Sequence, residues 1–327
     1  MNSTGGGTGD LTVETVSELG EFALVDRIAR ALSSTEVVVV GPGDDAAEIT
    51  VDGNLIVSTD LLVDQRHFRR DWSTAHEVGR KAAASNLSDL NAMGGWATAL
   101  TIGLAVPGDL PVAWVDELVR GIVEECDAVG VAVVGGDVTA SDVLTIAVTA
   151  LGEAPRTVRR SDAEAGDQVA VAGVLGLAGA GFAALSRGFR SPRAAVEAHR
   201  VPNPPYGAGE EAADAGATAM IDVSDGLLGD LGHIARASGV QIDLSSDLVP
   251  IEPAVITVAE ALGRHPVSFV LTGGDDYALA ATFPPDATLP EGWDRIGTVV
   301  AVPEGDQPRV TVDGEPWDGA PGHEHFR

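Results

Sequence analysis

The chain has 327 residues, 45% hydrophobic and 21% charged, which is long for one hydrophobic core and suits two. Its 49 acidic and 20 basic residues give a formal net charge of -29, which repels nucleic acid and anionic membrane and argues against both as partners. Cys126 is the one cysteine and Lys81 the one lysine, so an internal disulfide, a thiolate metal cluster and a lysine-based phosphate loop are excluded.

The first residues, MNSTGGGTGD, carry no basic region followed by an apolar stretch, so they are not a secretory signal. Residues 1–16 read as a disordered leader. Residues 17–32 show helical spacing, with Phe22, Val25, Ile28 and Leu32 on one side. Val37 to Val40 is a β-branched run entering the turn Gly41-Pro42-Gly43, and Leu55 to Thr59 is a second strand. Ser73-Thr74 caps a helix from Ala75 to about Met93, with Glu77 placed as the capping-box partner. A strand (99–106), a helix (112–129) and a strand (131–134) leading into Gly135-Gly136-Asp137 follow, then a strand over 144–151.

Pro, Gly and charge interrupt the pattern over 152–167, and a domain boundary near residue 155 is placed there. Beyond it come a strand (168–172), a glycine-rich helix, helices near 193–199 and 208–215, and a short strand (219–221). A helix over 226–238, a strand (240–244), a helix near 253–263, a strand (268–271) and a β-rich tail complete the chain. The alternation predicts two α/β or α+β domains, 17–155 and 156–327. The apolar run 169–185 is too short and glycine-rich for a membrane span of about 20 residues, so it reads as a buried strand turning into a buried helix. A cytoplasmic protein is expected, the single cysteine fitting a reducing compartment.

Several nucleotide-binding signatures are absent. The lysine sits in Gly79-Arg80-Lys81-Ala82, which rules out G-x-x-x-x-G-K-[ST] and the strand lysine of protein kinases. Gly179-Ala180-Gly181-Phe182-Ala183-Ala184 matches G-x-G-x-x-A but lacks the tight strand and the later acidic residue of a dinucleotide fold, so close helix packing accounts for it.

What is present is a set of aspartates where strands meet glycine-rich turns: Asp44-Asp45, Ser58-Thr59-Asp60, Gly135-Gly136-Asp137, Asp222-Val223-Ser224-Asp225-Gly226 and Gly273-Gly274-Asp275-Asp276, with Asp89 on a helix. Hard cations such as Mg²⁺ bind one or two carboxylates together with hydroxyl and phosphate oxygens. Strand period puts Ser58 and Asp60 on one face and Thr59 on the other, where a strand end gives Thr59 room to rotate toward the same ion. Each piece has a plain alternative: a Gly-Asp pair is usually a turn, Asp225 is a plausible helix N-cap, and Asp89 can be a solvated helix charge. Together, with no free lysine to meet phosphate, they point to cations that neutralise a polyphosphate.

GPGDDAA (41–47), STDLLVDQRHF (58–68), KAAASNLSDLNAMGG (81–95), GGDVTAS (135–141), IDVSDGLLGDLGHIARASG (221–239) and LTGGDDYAL (271–279) resemble thiamine-monophosphate kinases, from about residue 17 to the C-terminus and in the same order. That family shares an ATP-using fold with aminoimidazole ribonucleotide synthetase, selenophosphate synthetase and a hydrogenase-maturation protein. The resemblance implies an N-terminal domain that forms a β-barrel across a homodimer and a C-terminal α/β domain over the cleft. It implies Mg²⁺ ligation by Asp45, Ser58, Thr59, Asp60, Asp89, Asp137, Asp222 and Asp225, with Asp60, Asp89 and Asp137 central to catalysis. By the same resemblance Gly136, Arg160 and Ser224 contact ATP, and His67, Asp275 and His323 face thiamine monophosphate.

Two positions depart from the family pattern. Asp275 stands where a glutamate is usual, and His323 follows Gly322 where a larger aromatic is usual. The reaction implied is direct in-line transfer of the γ-phosphoryl group with several Mg²⁺ ions and no phospho-enzyme; the acceptor phosphate, a dianion at neutral pH with a second pKa near about 6, needs no general base. The alternatives are a sibling purine-pathway synthetase, a Mg²⁺-dependent phosphohydrolase and a non-catalytic nucleotide- or cation-binding protein.

Overall fold

The structure is a computed structural model and describes residues 13–43 and 45–323. In chain order the first part runs α1 (Val16–Leu19), α2 (Glu21–Ala31), β1 (Val38–Val40), β2 (Glu48–Ile49), β3 (Leu55–Val63), α3 (Ala75–Ala92), β4 (Trp96–Val106), α4 (Val112–Ala128), β5 (Ala132–Ala140) and β6 (Thr145–Glu153). The remainder is β7 (Gln168–Ala172), α5 (Leu177–Leu185), α6 (Arg193–Arg200), α7 (Ala208–Asp214), β8 (Ala219–Val223), α8 (Leu227–Ser238), β9 (Gln241–Leu244), α9 (Pro253–Leu262), α10 (Pro266–Thr272), β10 (Ala278–Phe283), β11 (Trp293–Val300), β12 (Val310–Val312) and β13 (Glu315–Pro316).

The first part builds a four-stranded sheet in the order β3-β6-β4-β5, and the second a seven-stranded sheet in the order β13-β12-β9-β11-β7-β10-β8. Helices and strands alternate in sequence, yet among the described residues only β4/β5 and β9/β12 pair in parallel. The folding unit is therefore mixed α/β, and neither sheet is of the parallel, doubly wound kind. Each sheet has its own apolar core, one around Leu100, Ile146 and Val148 and one around Val171, Ile221 and Ile296.

Helix α3 holds the middle of the molecule. Its start is fixed as the sequence indicates: the Thr74 hydroxyl accepts the Glu77 N–H at 3.2 Å, and the Glu77 carboxylate accepts the Thr74 N–H at 2.7 Å. It packs so closely on α4 that a Cβ at Gly79 would stand 2.1 Å from the Leu118 carbonyl oxygen, and one at Gly121 would stand 2.1 Å from that of His76. Backbone contact at this distance explains two glycines inside long helices, where glycine otherwise costs about 1 kcal/mol against alanine.

Alpha helices cover one face of the four-stranded sheet. The other face shows Leu55, Val57 and Leu61 of the edge strand β3, each about half exposed (47%, 56% and 55%). Thr59 lies in the same row and shares a 2.9 Å hydrogen bond with Thr149 across the sheet.

Several expectations are corrected. Residues 13–16 of the supposed leader are tied down, Glu14 by its carbonyl to the Val112 N–H and Val16 by its N–H to the Leu110 carbonyl; residues 1–12 lie outside the described residues. The 17–32 helix is broken at Gly20 (φ 83°), and α2 buries Leu24 completely while Phe22 is 83% exposed. Residues 268–271 are helical, within α10, because Pro266 occupies the first turn and starts a helix. Gly135-Gly136-Asp137 is no turn; it lies inside β5, and Asp60 lies inside β3. Asp225 does not cap α8: Asp230, in the first turn, accepts the N–H groups of Ser224, Asp225 and Gly226 at 3.0–3.1 Å. Among the described residues no single helix is long and apolar enough to cross a membrane. Gly181 does serve helix packing, since a Cβ there would stand 2.0 Å from the Ala195 carbonyl oxygen.

Candidate active site

The site lies where α3 meets the middle of β3 and the end of β8. Ser58 and Asp60 point from β3 toward α3: the Ser58 hydroxyl donates to Asp89 at 2.5 Å, and the Asp60 N–H donates to the Asn86 side chain at 3.1 Å. Asp222, at the end of β8, is 4% exposed. Ser58, Asp89, Asp222 and Arg160 line one cavity of about 240 Å³, with Met93 and Met220 in its wall. A larger cavity, about 450 Å³, is lined by His76, Glu77, Arg80, Glu197 and Asn203 and contains none of the candidate metal, ATP or acceptor residues.

Electrostatics mark the same cluster. Burial first, then the Asp222 and Asp60 charges, push the Asp89 carboxyl up to about 7 against the pull of Ser58 and Arg160. Burial and Asp230 push Asp222 up to about 7 as well, against the pull of Arg160. The phenol of Tyr277 is kept neutral by burial and by the charges of Asp275, Asp60, Asp222 and Asp89. Tyr277 was not evident from sequence, because an aromatic following paired aspartates reads as core.

The loop after β8 gathers the remaining groups. The Asp275 N–H donates to the Ser224 carbonyl at 2.8 Å, and the Tyr277 N–H to the Val223 carbonyl at 2.8 Å. The His323 N–H donates to the Asp225 carbonyl at 2.9 Å. Asp230 holds this loop from below and is pushed up to about 7 by burial and by Asp225, while its three amide donors pull it down. An acidic residue in the first turn of α8 was the available signal for that role. His67 accepts the Val63 N–H at Nδ1 (2.9 Å), which leaves the proton of the neutral ring on Nε2.

Other predicted residues stand elsewhere. Strand pairing sets Asp137 opposite Gly103 and Thr59 opposite Thr149, which puts both on the uncovered sheet face, away from Ser58, Asp60 and Asp89. The expected rotation of Thr59 toward the Ser58 side does not occur. Gly136 lies over β4, where a Cβ would come 2.0 Å from the Ile102 carbonyl oxygen. Asp45 is exposed in the β1–β2 connection, and Asp44 lies outside the described residues.

Among the described residues no three acidic, His or Cys side chains converge to hold a metal by themselves. Buried, mutually repelling carboxylates opposed by Arg160 and the Ser58 hydroxyl nevertheless form a hard-oxygen donor set. This fits Mg²⁺, which takes one or two carboxylates and completes its shell with water and substrate phosphate.

Comparison with known proteins agrees with this geometry. Residues 43–154 match the N-terminal domain of AIR synthase related proteins, and residues 164–276 match their C-terminal domain. The thiamine-monophosphate kinase of Mycobacterium tuberculosis is 46% identical over 318 residues, covering 95% of this chain and 93% of that protein. The crystal structure of thiamine-monophosphate kinase from Stenotrophomonas maltophilia superposes with a TM-score of 0.78 at 33% identity, covering 90% of this chain and 97% of that one. A structure of AaThiL complexed with AMPPCP and TMP also gives a TM-score of 0.78 at 33% identity, over 96% of this chain and 100% of that one. With its two-domain mixed α/β fold of the AIR synthase type, the chain belongs to the thiamine-monophosphate kinase family.

Proposed function

We infer that the chain transfers the γ-phosphoryl group of ATP to thiamine monophosphate, giving thiamine diphosphate and ADP. The convergence of Ser58, Asp60, Asp89 and Asp222 beside Arg160 carries this reading. The family relatives, one of them solved with AMPPCP and TMP, supply the reactants. Asp60, Asp89 and Asp222, with the Ser58 hydroxyl, would hold Mg²⁺, whose charge offsets that of two anionic substrates. Arg160 is the guanidinium of this cavity and would meet phosphate oxygens, with Ser224 on the adjoining loop. Tyr277, kept neutral, can donate a hydrogen bond among the acids without adding charge. The acceptor phosphate is already a nucleophile at neutral pH, so these residues orient and shield rather than remove a proton. Direct transfer predicts inversion at phosphorus. Incubation with ATP, Mg²⁺ and thiamine monophosphate should yield thiamine diphosphate and ADP, with inversion of a chiral γ-phosphorothioate. Release of inorganic phosphate instead would favour a phosphohydrolase, and retention would require a phospho-enzyme.

The same reading divides the chain near residue 155 into a metal- and ATP-binding unit and a covering unit, and it pairs two chains. The long edge strand β3 with Leu55, Val57 and Leu61 exposed is the kind of face that proteins cover. Pairing two such faces would close a barrel and carry Thr59 and Asp137 to the interface. The expected outcome is a dimer in sedimentation, converted to monomer by Val57→Lys with loss of activity; a fully active Val57→Lys monomer would remove the pairing from the mechanism. A cytoplasmic location follows from the supply of ATP that the reaction consumes.

A further inference from the structure

Next to Asp275, three aromatic rings meet. Trp72 and Phe182 stand edge to face with centroids 5.9 Å apart, and His199 is 6.0 Å from Trp72 and 5.7 Å from Phe182. Phe182 is 53% exposed although α5, which carries it, is largely buried. The close approach of Gly181 to α6 sets Phe182 beside His199. His199 is 7% exposed, and its Nδ1 makes no hydrogen bond among the described residues. That nitrogen points toward Asp275 Oδ2 at 3.8 Å, the same oxygen that accepts from Lys81 at 2.9 Å. Burial and Lys81 push the imidazole down to about 4, so the ring is neutral at working pH. The Arg69 guanidinium lies 4.5 Å from the Trp72 ring centre, with Asp71 paired to it at 2.9 Å.

We propose that Trp72, Phe182 and His199 form the wall that receives the flat nitrogen heterocycles of the acceptor, with Asp275 as the hydrogen-bond acceptor at its edge. This rests on the kinase reading above and specifies which part of the acceptor each end of the site takes. Thiamine monophosphate has an anionic phosphate at one end and a cationic thiazolium with an aminopyrimidine at the other. The carboxylates near Tyr277 attract a divalent metal, and the phosphate end of the acceptor is held there only through that cation and Arg160. Asp275, which acts on both Tyr277 and His199, joins them to the aromatic wall. Aromatic faces attract a flat cation, more strongly when water is excluded. Lys81 and His199 both address Oδ2 of Asp275, so Oδ1 is the oxygen suited to an exocyclic amine.

The test is the separation of KM from kcat. Truncating an exposed ring costs little stability, so Phe182→Ala should remain folded. It is expected to raise KM for thiamine monophosphate about tenfold, with kcat and KM for ATP within about twofold. Phe182→Tyr, which keeps the ring face, should restore the wild-type KM, and Phe182→Leu, which keeps only apolar volume, should not. Unchanged KM for thiamine monophosphate in both Phe182→Ala and Trp72→Ala, or equal rescue by leucine and tyrosine, would overturn the proposal while leaving the kinase reading intact. A wild-type protein that forms no thiamine diphosphate would overturn both.

Discussion

Asp89→Asn is expected to lower kcat at least about 100-fold, and Asp60→Asn similarly, the scale on which one strong preorganised electrostatic contact acts. Asparagine keeps the shape and can still accept the Ser58 hydroxyl, so the geometry of the cavity survives. What disappears is one negative charge in a group that must offset at least one divalent cation. The loss should fall on kcat rather than on acceptor KM, and raising Mg²⁺ should recover only part of it. The same change has an opposite effect on metal-free stability. The Asp89 carboxyl is raised to about 7 in the fold, from an ordinary value near 3.9, because burial and the Asp222 and Asp60 charges disfavour its ionised form. Between those two values the folded chain binds the extra proton, so stability falls as pH rises through this window. Asp89→Asn removes that penalty. In chelator at pH 8 the variant should melt no lower than wild type, and the gap should shrink toward pH 4. A variant that is both active and thermally unchanged would show that Asp89 has neither a metal nor a repelling neighbour.

Most of the fold is legible because its elements have strong local signatures. The Thr74–Glu77 capping box and the glycine after Ser238 mark helix ends that the structure reproduces. Apolar runs of four residues are different: Ser268 to Leu271 fits a strand or a buried helix turn equally, and Pro266 was the deciding mark. The aspartates were legible as a set, but not their directions. Asp60 and Asp137 both follow short residues in β-rich segments, yet only the pairing register, with its shift between Leu100 and Thr101, reveals that they face opposite sides of the sheet. Gly136 shows a related ambiguity. A glycine marks a close backbone approach, and sequence alone does not say whether the partner is phosphate or, as here within one chain, β4. Tertiary partners such as Lys81 with Asp275, 194 residues apart, leave no local signal at all. Asp275 itself is better explained by structure: its φ of 66° is a left-handed conformation in which aspartate is several-fold enriched, and this suits the shorter acid found in place of glutamate.

Lys81→Met is expected to destabilise the protein by about 2–3 kcal/mol, below the 3–5 typical of breaking a fully buried pair because the Asp275 side chain is 35% exposed. The ammonium is 3% exposed and reaches both the Asp275 carboxylate at 2.9 Å and the His199 carbonyl at 3.3 Å, so it ties α3 to the 273–277 segment and to α6. Methionine fills much of the volume but leaves the buried Asp275 carboxylate without its ammonium partner. Burial alone would raise the Asp275 carboxyl; Lys81 and His199 reverse this and hold it below its ordinary value. A lowered folded pKa stabilises above the unfolded value and loses that contribution as pH falls through the folded one. The difference between Lys81→Met and wild type in urea unfolding should therefore be full at pH 7 and narrow below about pH 4. Adding Asp275→Asn to Lys81→Met removes the unpaired charge and should return part of the lost stability, while Asp275→Asn alone leaves a buried ammonium and should cost stability itself. If the double variant is no more stable than Lys81→Met, the lysine acts by filling space and not by charge. Because the Asp275 N–H also holds the Ser224 carbonyl, loosening this pair should raise KM for thiamine monophosphate more than KM for ATP. The chain's single lysine would then act not on phosphate but on the acid that meets the acceptor, leaving phosphate charge to Arg160 and the metal.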